Sequence, residues 1–312
     1  MRVLILGTGG IGGYIGAKLW NAGHDVTFLA RGSHLDAMRQ HGLTLESPDG
    51  MIVAGGIFTD SLLNLAPFDL ILCSVKSHDT REAASMCLQA VHKETMILTV
   101  QNGVENTDIL SEVFGRERVL GGIALIFSTI SAPGTVHHHG GTTKFKTGET
   151  NGSTSPRCAA LARSFAEAAI DLEIVPDIRS VLWEKFIFIC GLGGMTAYTR
   201  TTVGAILADS ELYRMMQEVV HEAATVGRLR GIDPFTGIEG RADAHYRRLA
   251  PSNTSSMYYD LTHGKQLEVE ALNGAVVRFA RKLGITSPAN EKILNTLLPF
   301  ARPKNPNLKP ET

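Results

Sequence analysis

The chain opens Met1-Arg2-Val3-Leu4-Ile5-Leu6-Gly7-Thr8-Gly9-Gly10-Ile11-Gly12, an apolar run that breaks into glycines. Residues 3–6 read as a buried strand, residues 11–22 as a helix and residues 25–29 as a second strand. Residues 7–12 therefore lie between a strand and a helix and fit G-x-G-x-x-G. In that setting the first glycine permits a tight turn and the second lets backbone approach a pyrophosphate. The third lets helix pack closely on strand, and the helix N-terminus offers unpaired N–H groups and a favourable dipole. Gly7, Thr8, Gly9, Gly10, Ile11 and Gly12 are thus candidate dinucleotide-binding residues.

Outward from this turn, further strands are expected at 70–75, 96–100 and 119–126, alternating with helical patterns, which implies a parallel sheet covered by helices. Residues 134–139 and 143–148 alternate and read as antiparallel strands closing the domain edge. A Gly/Ser/Thr-rich loop at 149–156 precedes a helix at 158–168 and a short strand at 172–175. From residue 178 onward no strand pattern is found. Instead, amphipathic helices span 209–230 and 266–283, stopped by Gly231 and Gly284. The expected fold class is α/β: an N-terminal Rossmann dinucleotide-binding domain, residues 1–177, followed by an all-α domain, residues 178–312. The last twelve residues carry three prolines and read as a frayed tail.

Which nucleotide is bound depends on the end of the second strand. NAD-preferring domains place Asp or Glu there for the ribose 2′-hydroxyl, whereas an Arg accommodates a 2′-phosphate. The strand ends Phe28-Leu29-Ala30-Arg31 without a carboxylate, and Arg31 can make a forked, charge-assisted contact to phosphate. The expected cofactor is NADP (NADPH). A solvated arginine at a strand end is the plainer alternative.

Composition is that of an ordinary globular protein: 312 residues, 44% hydrophobic and 20% charged, enough for about two domains. The net charge of -1 calls for neither a nucleic-acid nor an anionic-membrane partner. No segment reaches about 18 consecutive apolar residues, so no membrane span is expected. Cys73, Cys87, Cys158 and Cys190 form no CxxC pair, which argues against a disulfide framework or zinc site and for a reducing cytoplasm.

Several further motifs follow in order: Val75-Lys76, Gln101-Asn102-Gly103, Trp183-Glu184-Lys185, and Ser255-Ser256-Met257 followed by Asp260 and Glu268. With the glycine turn, Arg31 and the helical second half, the chain resembles the ketopantoate reductase (2-dehydropantoate 2-reductase) family over residues 2–298. The resemblance implies a Rossmann domain, a helical domain and a cleft between them where NADPH reduces a 2-oxo acid to a 2-hydroxy acid. It places Lys76 with Arg31 at the 2′-phosphate and Asn102 near nicotinamide and substrate. Lys185 matches the catalytic lysine, Ser256 a substrate-carboxylate contact and Glu268 the residue that binds the substrate hydroxyl. If ketopantoate is the substrate, the product is pantoate and the pathway leads to pantothenate.

Two positions depart from the family pattern. Where that family's helix usually carries asparagines four and eight residues after the lysine, this chain has Ile189 and Gly193. Residues spaced by four share a helical face, so one polar contact is replaced by bulk and the other by space. A larger or more apolar carbonyl substrate would suit that face.

The chemistry can also be read from the residues themselves. Hydride addition builds negative charge on a carbonyl oxygen, which needs a donor aimed at it. A lysine ammonium can stabilise that charge and deliver the proton, more readily when partial burial lowers its pKa. Lys185 leads into the apolar run Phe186-Ile187-Phe188-Ile189-Cys190, where an unpaired charge is costly to bury; a snorkelling lysine is the alternative. Glu268 and Glu270 read locally as first-turn acids of the 266–283 helix. Residues 252–256, Ser-Asn-Thr-Ser-Ser, read as a helix cap with one or two members turned to substrate, Ser256 first and Asn253 second.

Three other features are set aside. His137-His138-His139 would alternate faces on a strand and cannot share one ion, so a solvated edge strand and no metal site are expected. Asp233, Asp243 and His245 offer no triad geometry, and His221-Glu222 lacks a second histidine four residues on. The sequence thus points to a reductase whose partner is a small 2-oxo acid or ketone. Its alternatives are a relative acting on a more apolar carbonyl and a non-catalytic NADP(H)-binding sensor. Apolar helix faces in the second domain would serve either its core or a homodimer interface.

Overall fold

A buried β1 (Arg2–Leu6) forms the centre of the first unit, paired in parallel with β2 (Asp25–Leu29) on one side and β6 (Phe68–Cys73) on the other. The computed structural model describes residues 1–232 and 236–301. It divides into two compact units, the first Met1–Gln101 with Glu105–Arg179, the second Asn102–Val104 with the chain from Ser180 on.

In chain order the rest of the first unit comprises α1 (Gly10–Asn21), α2 (Gly32–His41), β3 (Leu43–Ser47), β4 (Gly50–Ala54) and β5 (Ile57–Thr59). After β6 come α3 (Thr80–Met86), β7 (Val91–Thr99), α4 (Asn106–Phe114), β8 (Val119–Leu125), β9 (Ser128–Ala132) and β10 (Thr135–His138). The unit ends with β11 (Lys144–Glu149), α5 (Pro156–Glu167) and β12 (Leu172–Ile174). The main sheet has eight strands in the order β12-β11-β8-β7-β6-β1-β2-β5. Its pairs are parallel except β8 with β11. Near-continuous apolar runs such as Leu70-Ile71-Leu72-Cys73 are wholly buried, as strands covered on both faces must be.

A second sheet, β4-β3-β10-β9, packs on the other side of α1. The sequence reading overlooked β3, β4, β5 and β9, and it misplaced the 134–139 strand. β11 does pair antiparallel at the main sheet, but β10 lies inside the second sheet between β3 and β9, so the histidine run is not on an edge strand. Short strands of mixed polarity, such as Leu43-Thr44-Leu45-Glu46-Ser47, carry too few apolar repeats to announce themselves.

Helix α1 explains why its sequence is so rich in glycine. A Cβ on Gly16 would stand 2.4 Å from Phe28 of the main sheet, and one on Gly13 would stand 2.7 Å from Val136 of the second. The helix is thus wedged between two sheets, and close packing on both sides offsets the roughly 0.5–1 kcal/mol that each interior glycine costs.

The second unit is helical: α6 (Ile178–Thr199), α7 (Val203–Ala208), α8 (Ser210–Leu229), α9 (Ile238–Arg248), α10 (Ser256–Thr262), α11 (Asn273–Lys282) and α12 (Pro288–Leu297). Among the described residues no strand follows Arg179. Helix α6 has the length and composition to cross a membrane, but 67% of its most apolar window is buried, and Trp183, Phe186, Ile187 and Cys190 join one core with α8 and α11. Helix α8 starts where Asp209 caps it, its Oδ1 accepting from the Glu211 and Leu212 N–H groups at 2.9 Å.

The expected 266–283 helix begins seven residues late. The Glu268 carbonyl accepts from the N–H groups of Ala271 (3.0 Å) and Leu272 (3.1 Å), and Leu272 at φ -105°, ψ -99° leaves the helical path. Residues 265–268 have no regular structure, residues 269–272 are turns, and α11 starts at Asn273. The four cysteines are buried free thiols. The frayed-tail expectation, save for Ala301, falls outside the described residues.

Candidate functional site

The glycine turn leaves the end of β1, an interior strand of the main sheet. Gly7 takes φ +100°, open to glycine alone at low cost, and a Cβ there would meet Val75 at 2.7 Å. A Cβ on Gly12 would stand 2.3 Å from the Gly7 carbonyl and 2.9 Å from Ile5, so this glycine sets the approach of helix to strand. Gly9 differs from both, because nothing in the protein lies within 4 Å of where its Cβ would be. Its lack of a side chain leaves open space over the backbone, the room a pyrophosphate needs.

The first intrahelical bond of α1 runs from Gly13 N–H to the Gly9 carbonyl at 2.7 Å, so the N–H groups of Gly10, Ile11 and Gly12 have no acceptor within the helix. Thr8 plays another part: its N–H and its hydroxyl both donate to the Leu29 carbonyl, at 3.1 and 3.0 Å, tying the turn to β2. Gly10 is required by the second sheet, since a Cβ would stand 2.1 Å from the Ser128 carbonyl oxygen.

Arg31 and Lys76 follow β2 and β6, the two strands that flank β1, so the turn and both cations gather at the carboxyl ends of three adjacent parallel strands. Nucleotides bind open α/β sheets at such strand ends. The Arg31 side chain is 87% exposed, with Nη2 3.2 Å from Oδ2 of Asp79, an ion-pair partner that the sequence reading did not single out. Gln101 proves to be a buried brace at the end of β7, donating to the Val75 carbonyl and the Thr80 hydroxyl at 2.8 Å. Asn102 belongs with the second unit, in the same short stretch as Val104, which packs on the helical core.

In the second unit Lys185 lies in the second turn of α6, half-buried, with Ile189 and Gly193 following at helical spacing along one face. Burial lowers the Lys185 ammonium to about 8, against an opposing upward pull from the Glu268 carboxylate. That interaction brings together the two residues read as proton donor and hydroxyl ligand. Glu268 is 9% exposed and lies five residues before α11, so a role as its first-turn acid does not apply.

The polar run before α10 is divided. Ser255 is the cap, its Oγ accepting from Tyr258 N–H at 3.0 Å and lying 2.8 Å from the Thr196 hydroxyl of α6. Ser256, the first residue of α10, is exposed, as is Asn253, whose carbonyl accepts from Val203 N–H at 2.9 Å. The following Met257 is the near neighbour of Gly193: a Cβ at 193 would meet only its methyl carbon, at 3.6 Å. By contrast, a Cβ at Gly191 or Gly194 would run into Tyr246 or Asn273. Of the three glycines in this part of α6, Gly193 alone leaves room for a side chain.

The features set aside have structural explanations. His138 is buried against Tyr14, with its Nε2 2.9 Å from the Thr143 hydroxyl, and no metal-holding cluster occurs among the described residues. Asp243 is bonded to Tyr213 (2.6 Å) and Arg247 (2.9 Å), and His245 stacks edge-on with Phe188. His221 pairs with Glu239, and Asp233 falls outside the described residues.

A dinucleotide turn at the strand ends of one unit, and a depressed lysine with a carboxylate neighbour in the other, define an oxidoreductase of the NAD(P)-dependent kind. The profile "Ketopantoate reductase PanE/ApbA" matches residues 3–152, and its C-terminal companion matches residues 177–300. A 2-dehydropantoate 2-reductase of Halobacterium salinarum is 32% identical over 305 residues, covering 97% of this chain and 98% of that protein. The crystal structure of a PanE/ApbA family ketopantoate reductase from Ralstonia eutropha superposes with a TM-score of 0.89 at 30% identity, covering 96% and 98% of the two chains. The chain belongs to the ketopantoate reductase family. Its fold, though at 20% identity no more than that, is also shared by D-mandelate dehydrogenase in a ternary structure with NADH and anilino(oxo)acetate (TM-score 0.87, 96% and 98% covered).

Proposed function

We propose that the chain is an NADPH-dependent reductase that converts a 2-oxo acid to a 2-hydroxy acid, with ketopantoate as the first substrate to test. Residues 1–177 would hold the cofactor and residues 178–312 the substrate. The observation that carries the reading is the Lys185 ammonium, lowered to about 8 on a helix face that also feels the Glu268 carboxylate. A proton donor works best when its pKa lies near the operating pH.

The residues present fit the cofactor. Gly9 leaves the open space and α1 the free N–H groups for a pyrophosphate, while Arg31 and Lys76 supply cations for the 2′-phosphate. When bound, reduced NADPH would supply the hydride to the 2-oxo carbon. The Lys185 Nζ would stabilise the developing charge on the carbonyl oxygen and give it the proton. Ser256 would hold the substrate carboxylate and Glu268 the hydroxyl that forms, with Asn102 near nicotinamide and substrate and Asn253 a further substrate contact. No metal is required. A soluble enzyme of the cytoplasm, monomeric or homodimeric, fits this role.

A second reading keeps the chemistry and changes the substrate. The space at Gly193, walled by Met257, and the apolar Ile189 one turn before it favour a bulkier, more apolar 2-oxo acid. NADPH consumption with ketopantoate, beside NADH and a Lys185→Ala control, tests the first reading. Turnover that disappears in the control supports it. Tight NADPH binding without turnover moves the search to other carbonyls, and failure with all of them leaves a nucleotide-binding sensor.

A further inference from the structure

Lys185 and Glu268 must keep a fixed relation for the proposed chemistry, yet they come from distant parts of the second unit, α6 and the turn before α11. Apolar packing joins these parts, with Val269, Leu272 and Val276 in the same core as Trp183, Phe186 and Cys190. Packing of this kind is non-directional. One polar side chain also crosses the seam.

Asn273, the first residue of α11, is wholly buried, and its Nδ2 donates to the Cys190 carbonyl of α6 at 3.3 Å and to Asn290 Oδ1 at 2.9 Å. Gly194 makes that approach possible, because a Cβ there would stand 2.8 Å from Nδ2 and 2.9 Å from Oδ1. Asn290 in turn donates to the Val219 carbonyl (3.1 Å) and to Glu222 Oε2 (2.8 Å) of α8. Glu222 also accepts the Ala289 and Asn290 N–H groups at 2.9 Å. Between Asn273 and Glu268 the backbone is locked by the two bonds to the Glu268 carbonyl and by Gly274 N–H to the Val269 carbonyl at 2.9 Å. An apolar side chain would fill this core without the desolvation cost of an amide, so the amide is explained by the direction it imposes.

We propose that Asn273 is a positioning residue for the reaction: its amide docks the 268–273 turn on α6 and thereby sets where the Glu268 carboxylate stands relative to Lys185. It acts through Glu268 and touches neither substrate nor cofactor. The inference rests on the reading of Lys185 and Glu268 given above. The neighbouring carboxylate, Glu184, is engaged by Arg241 of α9, so Glu268 is the group whose displacement Lys185 should register.

The test is the titration of Lys185, followed by NMR of the lysine ε-carbons in the full chain, for wild type, Glu268→Gln, Asn273→Leu, Gly194→Ala and Glu222→Gln. Glu268→Gln sets the largest downward shift available. Asn273→Leu keeps the branched outline of the side chain and removes the amide's bonds, and Gly194→Ala pushes the amide away should the leucine variant not fold. Either should lower the Lys185 titration by roughly half a unit or more, since an opposite charge moved away favours the neutral amine. Either should also lower kcat about tenfold with NADPH binding unchanged, the rate loss expected of a misplaced partner. Glu222→Gln loosens the far end of the network and should lower Tm while leaving the titration in place. A folded Asn273→Leu whose Lys185 titrates as in wild type would overturn the proposal, as would a Glu268→Gln that shifts nothing. Because the titration needs no turnover, it decides the matter even if no 2-oxo acid is reduced, which would sink only the functional reading.

Discussion

The Arg31 guanidinium stands 3.2 Å from the Asp79 carboxylate, joining the chain after β2 to the turn after β6. With the arginine 87% exposed, the pair contributes little to stability, and its arginine can turn toward a ligand phosphate at small cost. In the proposed complex Asp79 would compete with that phosphate. Arg31→Ala is therefore expected to raise the KM for NADPH by about 10- to 100-fold, the loss of one charge-assisted contact, while the KM for NADH changes little. Steady-state kinetics with both cofactors checks this; equal losses would remove Arg31 from the 2′-phosphate.

Asp79→Asn should act in the opposite direction, lowering the KM for NADPH by a few-fold and leaving NADH unaffected. The comparison is sharpest at low ionic strength, where exposed charges are least screened.

The glycines of the turn can be separated by what a methyl group would strike. Gly12→Ala should cost several degrees of Tm, because its Cβ would stand 2.3 Å from the Gly7 carbonyl. Gly9→Ala meets nothing in the protein and should leave Tm within about 2 °C while weakening NADPH binding about tenfold or more, since the backbone could no longer be approached. Thermal melts with and without NADPH read both effects. An intact NADPH-induced shift in Gly9→Ala would move the pyrophosphate elsewhere.

In the proposed reaction the protonated form of Lys185 is the one that would donate. Its pKa, about 8, lies below the ordinary value because burial disfavours the charge. Reduction should therefore hold steady at neutral pH and fall about tenfold per unit above 8, limited by the protonated fraction. Lys185→Ala should lose about 10²- to 10⁴-fold in kcat, the range for removing a general acid, and should lose this alkaline limb as well. A wild-type rate that is flat to pH 10 would assign the proton to another donor.

Gly193 tests the substrate. Gly193→Asn has room beside Met257 and would restore an amide to the lysine's helix face. It should improve kcat/KM for ketopantoate and worsen it for 2-oxo acids with bulky apolar side chains. Competition between two such substrates, before and after the change, reads the preference; no change in either would separate residue 193 from the substrate.

How much of this was legible beforehand follows from how far each signal reaches along the chain. Strands β1, β2 and β6 and the glycine turn are encoded within a few residues of themselves, as short apolar runs, the first ended by glycine, and are read within two residues. The second sheet is made by pairing β3 with β10, some ninety residues apart; the alternation at 134–139 marks a strand but not its partner, and β3 is too short and mixed in polarity to show a period alone. The 266–283 reading failed because the apolar positions of the Glu268 turn mimic helical spacing, although the Glu268 carbonyl closes a tighter loop. The Asn273 amide and the Asp79 partner were invisible for a simpler reason: each takes its meaning from a residue dozens of positions away.

Helix α1 is held between two sheets with no side chain to spare at Gly13 and Gly16. Its first turn, which carries the N–H groups offered to a pyrophosphate, is therefore set before any ligand arrives. Binding need not order that segment, so its conformational entropy is already spent in folding the domain. In hydrogen–deuterium exchange the amides of the inner turns of α1 should be among the slowest of the first unit without NADPH, and added cofactor should protect the Arg31 and Lys76 segments far more than the helix itself.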